Sequence, residues 1–186
     1  MKKTIKLLAV LFISTLVLTS CEDNHDHDHD ADHEHEEVNI LRYTLTNTND
    51  TNNVVTFEFN DPDGEGGADG TKQVSGTLVA NATYTGVLEL LYNHDGTLES
   101  VSDEIKENDA EDHEVFYINS AGMTIDTTDV DANNNPLGFE TNISVGATIT
   151  GSLTIAIVHE GKKPNTGIND ALSGGGTTDI EVVFNI

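Results

Sequence analysis

The chain has 186 residues and a formal charge of −25, with 33 acidic against 8 basic residues, one cysteine and no tryptophan. So large a negative excess repels nucleic-acid phosphates and anionic lipid and attracts divalent cations, which sets nucleic-acid binding aside. A single cysteine excludes an internal disulfide framework.

The chain opens "MKKTIKLLAVLFISTLVLTSC": Lys2, Lys3 and Lys6 precede an apolar run from Leu7 to Leu18, followed by the small residues Thr19 and Ser20. This pattern predicts a secretory signal over residues 1–20, too short and wrongly flanked for a permanent membrane span. The ending "LTSC" resembles the bacterial lipobox, which implies that Cys21 is lipidated and becomes the mature N-terminus. Several acyl chains hold a protein on a membrane far more firmly than one does, so the resemblance predicts a tethered peripheral protein. Glu22 and Asp23 resemble the surface-export signal of Bacteroidota lipoproteins. That places the domain on the outer face of the outer membrane; read only as the start of an acidic linker, they leave the periplasmic face open.

Residues 21–37, "CEDNHDHDHDADHEHEE", contain no apolar residue after the cysteine except Ala31, so they cannot build a core and are expected to be a disordered tether. Five of the chain's eight histidines, His25, His27, His29, His33 and His35, fall within eleven residues and are interleaved with acids that include Asp26, Asp28 and Asp30. Neutral imidazole ligates Zn, Cu and Ni, and a neighbouring carboxylate fills a coordination position or orients the ring. The run therefore reads as a metal-collecting segment, with zinc the expected ion, of modest affinity because binding must order the chain. The competing readings are a solvated acidic spacer and a linker that charges near the usual histidine pKa of about 6.5.

From Val38 the pattern changes to period two. Leu41, Tyr43 and Leu45 alternate with polar residues, as do Val55, Phe57 and Phe59, and "NTNDTNN" between them predicts a hairpin. Further runs, "KQVSGTLVAN", "TYTGVLELLYN", "HEVFYIN", "GMTID", "GFETNI", "ATITGSLTIAIVHE" and "TDIEVVFNI", are bounded by Gly, Asn and Asp. About nine strands at this spacing predict an all-β fold for residues 38–186, an antiparallel Ig-like β-sandwich, with a closed meander β-barrel as the alternative. "TLESVSDEIKEN" fits a short helix or an edge segment equally well. The Gly-rich "EGKKPNTGINDALSGGGTT" is expected to be a mobile loop between the last two strands.

Two histidines belong to this folded part. His159 continues the phase of Leu153, Ile155 and Ile157, and His113 begins the strand of Val115 and Tyr117. Each fits a structural strand-end residue; brought together with Glu114 or Glu160 they would make a second metal site. The loop "DPDGEGGADG" sets Asp61, Asp63, Glu65 and Asp69 among glycines, an oxygen-rich turn suited to Ca²⁺, but it lacks the spacing of an EF-hand and reads first as a plain acidic hairpin loop. "DVDANNNPLG" is a weaker loop of the same kind.

No nucleophile elbow, phosphate-binding glycine loop or second cysteine points to catalysis, so a non-enzymatic role is expected. Lipobox, acidic spacer and segments such as "SGTLVANATYTGVLELL" and "GGGTTDIEVVFNI" together resemble small uncharacterised surface lipoproteins of the Bacteroidota. The resemblance implies an envelope location and a β-domain, and brings no activity or site. Two functions remain in view: collecting a divalent metal, with zinc expected from the imidazole-rich donor set, for an outer-membrane transporter, or acting as a structural or adhesive module for glycan or protein.

Overall fold

The computed structural model describes residues 37–186, apart from 65, 66, 68 and 95. The signal segment, Cys21, the histidine-rich run with His25, His27, His29, His33, His35, Asp26, Asp28 and Asp30, and also Glu65, lie outside the described residues.

The described chain folds as an antiparallel β-sandwich, and neither of its sheets closes into a barrel. The first hairpin is β1 (Ile40–Asn47) and β2 (Val54–Asn60), with Tyr43 opposite Phe57 and Leu45 opposite Val55. β3 (Thr71–Ser75) extends the sheet beyond β2 and is exposed throughout. β4 (Thr83–His94) pairs with β1 along one side; on its other side its first half pairs with β8 (Glu140–Val145) and its last residues with β5 (Thr97–Ser100). β7 (Met123–Thr127) closes the far edge, giving the order β3-β2-β1-β4-β8-β7 with β5 attached to β4. β6 (His113–Asn119), β9 (Ser152–His159) and β10 (Thr177–Asn185) make a second sheet with β9 in the middle.

Alternation builds the core directly. Leu41, Tyr43, Leu45, Phe57, Leu88 and Leu90 of the large sheet and Leu153 and Ile155 of the small one are fully buried. Period-two side chains on one face of each sheet meet across the interior. Phe57 meets Phe184 edge-on at 5.5 Å, and Tyr43 meets Tyr117 at 5.0 Å. The Tyr43 hydroxyl is paired at 2.6 Å with that of Thr141, the polar satisfaction a buried phenol needs. Gly86 leaves room for that pair, since a Cβ there would lie 2.4 Å from Thr141 Oγ1.

Two expectations are refined. "TLESVSDEIKEN" is both an edge strand and a helix: β5 ends at Ser100, whose hydroxyl accepts from the Asp103 amide and caps α1 (Val101–Asn108). Val101 and Ile105 then turn inward, one helical turn apart. The segment expected to be a mobile loop between β9 and β10 contains α2 (Ile168–Ser173) and is bound to the small sheet. Its Ala171, with Ile168 and Leu172, packs on Phe116 and Val158 of the outer face. No helix of the described residues is long and apolar enough to cross a membrane.

Candidate functional site

His113 opens β6 and His159 closes β9, and the antiparallel register sets them directly opposite each other. On the other side of β9, His159 faces Thr177, Thr178 faces Val158, and then Ile180 rather than Asp179 faces Ile157. Asp179 is therefore the extra residue of a β-bulge, a device that re-aims a side chain out of strict alternation. It turns toward the histidines, and the cluster spans all three strands at one end of the small sheet.

Both the His113 and the Asp179 side chains are 1% exposed, and His159 is half-buried. His113 Nδ1 lies 3.0 Å from the carbonyl oxygen of Asp109, the residue that ends α1. A carbonyl can only accept, so Nδ1 carries the hydrogen and, in the neutral ring, Nε2 is a bare lone pair. That Nε2 is buried and makes no hydrogen bond among the described residues. It faces Asp179 Oδ2 at 3.7 Å, beyond hydrogen-bonding range. The rings of His113 and His159 are stacked at 4.5 Å with planes 1° apart.

One potential donor atom from each of His113, His159 and Asp179 lies within 4.8 Å of the other two. Among the described residues no other trio of His, Cys, Asp or Glu meets this condition. A bare imidazole nitrogen and a carboxylate facing each other in a buried place are both acceptors, and a proton or a cation between them satisfies both. The carbonyl bond on the far nitrogen is the usual outer support of a ligating histidine.

Burial pushes the His113 pKa down, and this outweighs the bond to Asp109; the neighbouring His159 acts in the same direction. The unfolded chain then binds a proton that the native ring resists, so stability from this group is complete above the unfolded value and lost as pH falls from there through the folded value. In chelator, the melting temperature of the wild-type chain is expected to drop between pH 7 and pH 5 by more than that of His113→Gln. Equal drops would show that the ring accepts its proton as easily as in the unfolded chain. Glu114, whose carboxyl is pushed up by burial, works with the opposite sign, and the comparison with His113→Gln removes its contribution.

The acid that joins the histidines is thus Asp179, not Glu114, which accepts a bond from Asn165 Nδ2 at 2.6 Å. The sequence signal for Asp179 was slight, one acid after two threonines at the polar start of β10. In the glycine loop, Asp61 takes its amide to Asn39 O, and its Oδ1 is buried without a hydrogen bond. Asp61, Asp63 and Asp69 do not form a trio of close donors. In "DVDANNNPLG" the carboxylates serve the turn itself: Asp129 accepts from the Gly138 and Phe139 amides, and Asp131 from those of Asn133 and Asn135.

No protein-family model, curated protein or solved structure matches this chain. Fold and geometry therefore define it only by class, as an antiparallel β-sandwich with a two-histidine, one-carboxylate cluster at one end of its smaller sheet.

Proposed function

We propose that the chain is a lipid-anchored envelope protein whose β-domain binds a divalent transition-metal ion between His113, His159 and Asp179. The observation that carries this reading is the buried, bare Nε2 of His113, which has a carboxylate oxygen 3.7 Å away and a second imidazole beside it. Two neutral imidazoles and one carboxylate suit zinc and its neighbours, cobalt, nickel and iron(II). Calcium and magnesium, which take six or more oxygen ligands, are poorly served. The histidine and acid run of residues 25–36 supports the same chemistry at the level of sequence, and Cys21 in its lipobox-like setting supports the anchor. In this reading the anchored run collects ions near the membrane, the folded cluster holds one, and an outer-membrane transporter is the partner that takes it on.

Thermal unfolding of the mature chain carrying Cys21→Ser, in zinc and in chelator, tests the folded site. A ligand at about a hundredfold its dissociation constant adds about 2.7 kcal/mol. For a domain of this size that is a rise of roughly 5–10 °C in melting temperature. The rise should vanish in Asp179→Asn and survive replacement of His25, His27, His29, His33 and His35 by serine. Identical melts in zinc and chelator would overturn the reading.

The parallel stack of His113 and His159 also favours a second reading, in which two neutral rings simply close the end of a structural or adhesive β-module. His159→Ala would then lower stability equally with and without zinc.

A further inference from the structure

The stack itself constrains how an ion could be held, on the reading that His113, His159 and Asp179 bind one. An imidazole nitrogen donates along a lone pair lying in the plane of its ring. The planes of His113 and His159 are 1° from parallel and their centroids 4.5 Å apart. An ion in the plane of one ring therefore lies well above the plane of the other and out of line with its lone pair. Two donors sharing a zinc ion at about 2.1 Å each are also at most about 4.2 Å apart. Both nitrogens serve one ion only after a ring leaves the stack.

The fold decides which ring moves. His113 is 1% exposed, its Nδ1 is fixed to the Asp109 carbonyl at the end of α1, and its own carbonyl accepts a bond from Lys163 Nζ. Asp179 is held in the bulge of β10 with its side chain 1% exposed. His159 is half-buried and is the last residue of β9. The backbone turns left-handed immediately after it, at Glu160 (φ 51°), and continues into Gly161. A partly exposed side chain at a strand end changes rotamer on a fast timescale, whereas the two buried partners would have to disturb the core.

We propose that His159 is the mobile ligand through which the ion is loaded and released. Its imidazole turns out of the stack to meet the ion and turns back when the ion leaves. His113 Nε2 and Asp179 form the fixed pair that receives it. Protein motion at the site is then confined to one side chain at the solvent edge, which suits an ion that is taken up and passed on.

Long-range proton–nitrogen NMR of the mature Cys21→Ser chain with labelled histidine, titrated with zinc, reads each ring separately. Spectra of His159→Gln and His113→Gln supply the assignments; if His113→Gln does not fold, His159→Gln alone identifies the stacked partner by the change it causes in His113. The expected result is that His113 keeps its Nδ1 hydrogen and its Nε2 resonance moves to the metal-bound range. At the same time His159 loses the upfield ring-current shift of its stacked protons, and one of its nitrogens becomes metal-bound. Metal-bound His113 with His159 still stacked would overturn the mobile-ligand proposal while leaving metal binding intact. No response at His113 would overturn the metal reading and this proposal with it.

Discussion

Lys163→Met is expected to cost about 3–5 kcal/mol of folding stability, because it removes one half of a buried ion pair. The Lys163 side chain is 7% exposed and that of Asp131 is fully buried. Lys163 Nζ donates to the carbonyls of Ala110 and His113 and, at 3.2 Å, to Asp131 Oδ2. One ammonium thereby ties the segment after β9 to the entry of β6 and to the turn at residues 129–137. Burial alone would raise the Asp131 pKa, but bonds from the Asn135 amide and side chain and from Lys163 outweigh it and hold the carboxyl low. Without the ammonium that carboxylate stays buried with fewer donors. Urea unfolding of Lys163→Met, Asp131→Asn and the double variant measures this. The double variant should recover part of the loss, since it no longer buries an uncompensated charge. A loss below about 1 kcal/mol in Lys163→Met would mean that the pair behaves as an exposed one.

Phe57→Ala is expected to cost a similar amount, about 3–5 kcal/mol, from lost burial and the cavity left behind. Phe57 is fully buried, tilted against Tyr43 at 6.3 Å and edge-on to Phe184 at 5.5 Å, so it joins the two sheets. Val87 on the outer face of β4 is 47% exposed, and Val87→Ala should change stability by no more than about 0.5 kcal/mol. If the two truncations cost the same, the interior between the sheets is not the packed core its burial indicates.

Much of the architecture is legible in the chain because a half-buried strand writes its face in period two. Leu153, Ile155 and Ile157 alternate along one run and Ile180, Val182 and Phe184 along another, and the register sets the two apolar faces opposite one another. The first hairpin is legible for the same reason, aided by its Asn-rich turn. The segment between β9 and β10 was less so. Its glycines and lysines are those of a free loop, and only contact with Phe116 and Val158 gives Ile168, Ala171 and Leu172 a surface to cover.

The candidate site divides along the same line. By itself the sequence determined that His113 and His159 end strands on the inward phase, since each continues an alternating apolar series; it also carries the signal-like leader, the lipobox-like Cys21 and the histidine-rich run. Only the tertiary structure decided that the two histidines face each other, because strand order places β6 beside β9, and order depends on contacts remote in sequence. It alone decided that Asp179 joins them. Strict alternation assigns Asp179 to the outer face with Glu181 and Val183, and one extra residue in β10 reverses it. Such a bulge leaves no mark in a hydrophobic pattern, because it shifts the phase by a single position where the bulged residue, Asp179, and the one before it, Thr178, are both polar.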